Sequence, residues 1–212
     1  MIISYRLSKY ITSEMINNNL IPQKYKDAYE YSFEYLFDLI FYNTSIIIIG
    51  AFMKQPALSL LYAVFMTSLR TVAGGYHSNT RIKCGLLSYG LFFIMLLLVP
   101  FLSSNLKRTH SQFILFSIFI YFILSILIAL ISPVEHPNKP FKSYEKKHLQ
   151  LATITLLILF FAIYVISAYF CKYKICILEL FCAIIIYISQ IAQLIANRRL
   201  TDESQHSHMR WW

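Results

Sequence analysis

The sequence predicts an all-α, polytopic integral membrane protein of about six transmembrane helices, with an amphipathic helix at its N-terminus lying in the interface. Composition is the first observation: 58% of the 212 residues are hydrophobic and only 14% are charged. A soluble domain of this size could not remove that much apolar surface from water. The second is the length of the uncharged runs. Residues 84–106, 111–134, 149–171 and 175–197 each run 23 or 24 residues without Lys or Arg, broken only by the acid Glu179. About 20 apolar residues cross the hydrocarbon core as a helix, so these four are spans. Residues 36–53 and 57–69 are weaker, because the first holds Asp38 and Asn43 and the second is short. Lys54 and Pro56 between them suggest a tight helical hairpin.

The third observation is the distribution of positive charge, which favours cytoplasmic loops. With the N-terminus inside, Arg6, Lys9, Lys24 and Lys26 lie on the cytoplasmic side. So do Arg70, Arg81 and Lys83, then Lys139, Lys142, Lys146 and Lys147, and finally Arg198, Arg199 and Arg210. Of the 19 Lys and Arg, only Lys54, Lys107, Arg108, Lys172 and Lys174 remain outside. Both termini are therefore expected in the cytoplasm. The net charge of +9 follows from topology. The cations form no continuous stripe, so no nucleic-acid partner is expected.

Each end of the chain has a simple reading. No apolar core followed by a small-residue cleavage site appears in residues 1–35, so no cleavable signal peptide is expected. Ile3, Leu7, Tyr10, Ile11 and Met15 instead recur at helical spacing, with Arg6, Ser8, Lys9, Ser13 and Asn17 on other faces. That pattern fits a helix in the inner interface of the lipid bilayer, or one packed on its own protein. Residues 1–200 read as one membrane-embedded domain, and 201–212 as a polar tail.

Chemistry is concentrated in residues 70–84, a polar island that opens into the 84–106 span. It holds His77, Cys84, the Gly74-Gly75 pair and the cations Arg70, Arg81 and Lys83. A thiolate is the reactive form of cysteine, and nearby cations or a helix N-terminus favour it. Seven residues along a continuous helix would separate His77 from Cys84 by roughly 10 Å. A base must approach within about 3 Å or act through one water. The pair can cooperate only if the helix breaks, and Gly74, Gly75, Ser78 and Asn79 are suitable breakers. Asn79, Ser78 and Glu135 are all candidates to orient the imidazole. Backbone amides at the start of the 84–106 helix are the natural oxyanion donors. The remaining cysteines, 171, 176 and 182, read as small hydrophobes.

The island resembles the signature of the AgrB family, membrane cysteine endopeptidases of quorum sensing in Gram-positive bacteria. The matching residues are Arg70, Ala73-Gly74-Gly75-Tyr76-His77 and Cys84, without departure at any motif position. Residues 132–140, Ser-Pro-Val-Glu-His-Pro-Asn-Lys-Pro, resemble that family's Asn-Lys-Pro loop, and the likeness extends over residues 1–200. The resemblance implies a substrate: a precursor of the AgrD type, with an amphipathic leader, a central Cys or Ser and an acidic tail. It implies Cys84 as nucleophile and His77 as its base. Arg70, Gly74, Gly75, Arg81 and Lys83 are the implied substrate contacts. It also suggests a homodimer; the charge distribution places the island on the cytoplasmic side of the cell membrane, and no cofactor is expected.

Two rivals come from other classes. A non-enzymatic transporter or scaffold would explain Glu179, since intramembrane charges are often functional. A metalloprotease would use His77, Cys84, Glu135, His136 or His148. No His-Glu-x-x-His pair is present, and a zinc site needs at least three converging ligands, so no metal is expected.

Overall fold

A computed structural model describes residues 2–76, 81–105, 110–135 and 142–209. They form α-helices, with no strand among them. The chain divides into two compact units, Met1–Pro56 and Ala57–Trp212.

The first unit holds α1 (Ile2–Asn17), a 3-10 turn (Gln23–Tyr25) and α2 (Lys26–Phe52). α1 packs on α2, and the side chains it buries are Ser4, Ser8 and Thr12. These recur every four residues, and small side chains let two helix backbones approach closely. Leu7 and Tyr10 remain exposed. The helix therefore packs on its own protein through a small polar face and leaves apolar residues for the interface. α2 starts well before the expected span at 36, taking in the tyrosine-rich 26–35 segment. Between Lys26 and Ala51 there is no Pro, and Gly50 is the one Gly, so no strong helix breaker interrupts the segment.

The second unit holds α3 (Pro56–Ala73), α4 (Arg81–Asn105), α5 (His110–Ile131), α6 (Ser143–Tyr169) and α7 (Tyr173–Met209). Pro56 opens α3, a position where its missing N–H costs nothing. α7 packs against α4, α5 and α6. α3 joins them through aromatic contacts, Tyr62 with Phe92 at 5.5 Å and Phe65 edge-on to Phe160 at 4.6 Å. Tyr121 of α5 stacks on Tyr164 of α6 at 4.5 Å. α7 continues through the expected tail to Met209, since no Gly or Pro interrupts it.

Across both units, six helices are long and apolar enough to cross a membrane. The weak first two segments qualify once the helices run from residue 23 to 52 and from 56 to 73. The protein is a multi-pass, all-α membrane protein.

Three helices end in the same way. α1, α2 and α6 turn through left-handed residues Asn19, Lys54 and Cys171. In each, the next amide reaches back five residues: Leu20 to Met15, Gln55 to Gly50, Lys172 to Ser167. This closure satisfies terminal carbonyls locally. Cys171 is thus an exposed turn residue, not the buried hydrophobe expected of it, whereas Cys176 and Cys182 are buried.

Phe160→Ala should destabilise the second unit by about 2 kcal/mol. That is less than such a change costs in a soluble core, because lipid is itself apolar and only packing is lost. Thermal unfolding in detergent measures it. An unchanged midpoint would contradict the Phe65–Phe160 contact.

Candidate active site

α3 ends unlike the helices closed by a local turn. The carbonyl of its last residue, Ala73, accepts from the Val134 amide at 3.1 Å and from Gln190 Nε2 at 3.2 Å. Gly74 follows with φ +74°, and a Cβ there would sit 2.6 Å from the Val134 carbonyl oxygen. Only glycine fits that approach between two backbones. A Cβ on Gly75 would meet Ser189 Oγ at 2.5 Å. The Tyr76 amide donates to Ser189 twice, to its carbonyl at 3.0 Å and to its hydroxyl at 2.8 Å. The glycine pair is therefore where the chain leaves α3 and comes to rest on α7.

One turn before Ala73, Arg70 reaches across to α4. Its Nη2 donates to the Tyr76 carbonyl at 3.2 Å and lies 3.6 Å from Cys84 Sγ. Nη1 reaches Ser88 Oγ at 3.4 Å. Cys84 is half-buried in the first turn of α4, where the helix dipole is positive and the first four amides have no partner within the helix. Ser88 lies one turn further on. Beside Cys84, Gly85 faces open space, and Ile82 and Leu86 are exposed. The sulfur thus has a cation on one side, and the same turns of α4 carry exposed apolar residues on other faces.

Of the residues expected from sequence, Arg70, Gly74, Gly75 and Cys84 come together here. Lys83 is exposed. His77, Ser78 and Asn79 lie outside the described residues, as do His136 and the Asn138-Lys139-Pro140 segment, and so does the side chain of Arg81. Gly74, Gly75 and Tyr76 lie outside any helix, and α4 is described from Arg81. The break expected between His77 and Cys84 falls on residues 77–80, outside the described residues.

Sequence reading missed the side chains of α7 that organise this region. Ser189, Gln190, Gln193 and Asn197 form a polar stripe within an apolar span. Gln190 is fully buried and donates to Ser132 Oγ at 2.7 Å as well as to Ala73. Gln193 donates to Asn197 Oδ1 at 2.8 Å, and Asn197 donates to the Glu135 carbonyl at 2.9 Å. Glu135 also pairs with Lys146 at 2.9 Å. The signal was present: polar side chains in a span turn toward protein, and these repeat at helical spacing.

Residues 5–196 match the family model AgrB, described as accessory gene regulator B. No match was found among curated proteins or among solved structures.

Two glycines separate strain from space. Gly74→Ala should cost at least about 1–2 kcal/mol, from left-handed backbone alone, with a further cost from the clash at Val134. Gly85→Ala meets no atom and should stay within about 1 kcal/mol of the parent, on the stabilising side. Melting temperatures of the two variants in detergent check this, and a Gly74→Ala protein as stable as the parent would contradict the turn.

Proposed function

The chain belongs to the AgrB family, which takes part in processing the AgrD precursor peptide for quorum sensing, and from that premise we propose that it is a cysteine endopeptidase acting at the inner membrane surface. The observation that carries the reading is the Arg70 guanidinium, which touches both Cys84 Sγ and the carbonyl of the residue preceding His77. It ties together the two ends of the island.

The Cys84 thiolate attacks the carbonyl carbon at the C-terminal end of the signal segment, and His77 holds the thiol proton. Negative charge passes to the carbonyl oxygen, where Arg70 and the amides of the first turn of α4 are the candidate donors. As the oxyanion collapses, the C–N bond breaks. His77 gives its proton to the departing amine, and the acidic tail leaves. The acyl group stays on Cys84 as a thioester. The precursor's own Cys or Ser then attacks that thioester with His77 as base. The S–C bond to Cys84 breaks, the thiolate returns, and a thiolactone or lactone ring remains joined to the leader.

Ring closure competes with water for the thioester. An internal nucleophile acts at high effective concentration, and apolar surroundings limit hydrolysis. Ile82 and Leu86, exposed on the first turns of α4, add apolar surface on neighbouring faces of that helix, where an amphipathic leader would lie. With both termini cytoplasmic, Arg70, Arg81, Lys83 and the 139–147 cations meet the acidic tail on that side. Their attraction should weaken as salt rises.

The second reading, a transporter or scaffold, rests on Glu179. It is buried in α7, with no hydrogen-bond partner for either carboxyl oxygen among the described residues. Eleven residues of helix place it roughly 16 Å from Gln190, away from the site.

Reconstituted vesicles given the AgrD-type precursor separate the two readings. The parent protein should release the acidic tail and form the ring. Cys84→Ala should release none, and His77→Ala should be slower by about 10²–10⁴-fold. Glu179→Gln should process at the parent rate. Tail release by Cys84→Ala would overturn the enzymatic assignment.

A further inference from the structure

The polar stripe of α7 takes no part in the chemistry above, yet the two loops flanking the site rest on it. Gln190 is 0% exposed within a membrane-spanning helix. An amide in such a place is costly unless it is hydrogen-bonded. Its Nε2 has two acceptors, the Ala73 carbonyl at 3.2 Å and Ser132 Oγ at 2.7 Å, while its Oε1 has no partner among the described residues. The Ser132 hydroxyl spends its own proton on the Ile128 carbonyl at 2.6 Å. Both partners of Gln190 are therefore acceptors, which fixes which end of the amide faces them.

The neighbouring residue completes the hold. Ser189 takes the Tyr76 amide on its hydroxyl and its carbonyl, and the Tyr76 carbonyl takes the Arg70 guanidinium. Tyr76 immediately precedes His77 in the chain. The backbone of Tyr76 is thus held on both sides, its amide by α7 and its carbonyl by a cation touching Cys84.

We propose that Gln190, with Ser189, is a positioning residue that fixes the backbone from Ala73 to Tyr76, from which His77 follows, and thereby supports His77 in its role as base. This rests on the reading of Cys84 as nucleophile and His77 as its base. Misplacing a reacting group by about 1 Å costs on the order of 10²-fold in rate, so a positioning defect can be as large as loss of a donor. It must also vanish when the group being positioned is gone.

That property gives the test. The full chain in lipid vesicles is mixed with AgrD-type precursor whose ring-closing residue is alanine, and acyl transfer to Cys84 is followed in a single turnover. Gln190→Met keeps the side-chain length and removes both donated bonds. With His77 present it should slow acylation about 10- to 100-fold, while half-saturation by precursor stays within about twofold. In the His77→Ala background the same substitution should change the residual rate by less than about threefold.

A parent-like rate for Gln190→Met, or an equal loss in both backgrounds, would overturn the positioning role while leaving His77 as base. A parent-like rate for His77→Ala alone would overturn the base assignment, and this proposal with it. Should Gln190→Met fail to accumulate, Ser189→Ala keeps the backbone carbonyl and enters the same cycle. It should slow acylation about 3- to 10-fold, again only with His77 present, and a loss independent of His77 would overturn the proposal.

Discussion

The last carbonyls of a helix have no partner within it and must find one elsewhere. α1, α2 and α6 meet that demand with a local turn. α3 does so by giving the Ala73 carbonyl to the Val134 amide and the Gln190 side chain. From this follow the need for glycine at 74 and 75, the approach of the 132–135 loop, and the seating of Tyr76 on α7. The same bonds that close a helix also place the entrance to the candidate site.

Arg70 gives that placement a chemical consequence. Arginine presents several donors in a rigid plane and stays charged. Here it spreads them over a backbone carbonyl, a hydroxyl and a sulfur. A lysine carries three donors but on a single nitrogen, without the two-nitrogen fork that Arg70 uses here. The cation that the topology reading treats as one more inner-loop charge is therefore also a brace between α3 and α4. Lys83, in the same island, is exposed instead.

Much of this was legible in the sequence, for physical reasons that differ by element. Long uncharged runs have few alternatives to spanning helices, so the spans from 84 onward could be read directly. The island stood out because His, Cys, Gly-Gly and Arg seldom cluster at the mouth of an apolar segment without purpose. The full length of α2 was harder to see, because tyrosines and acids at 26–35 mask a helix that composition permits. α1 was read by its apolar positions, yet it packs through Ser4, Ser8 and Thr12, small residues whose role depends on a neighbouring helix. The stripe of Ser189, Gln190, Gln193 and Asn197 was overlooked because each residue alone is unremarkable in a span. Its meaning lies in partners more than 50 residues away.

The most direct measurement is the intact mass of the protein after mixing with an AgrD-type precursor that cannot close its ring. The account predicts a covalent increment equal to the precursor without its acidic tail. The increment should be confined to Cys84, sensitive to hydroxylamine as a thioester is, and absent from Cys84→Ala. An unmodified sulfur while tail is being released, or the same adduct on another cysteine, would contradict it.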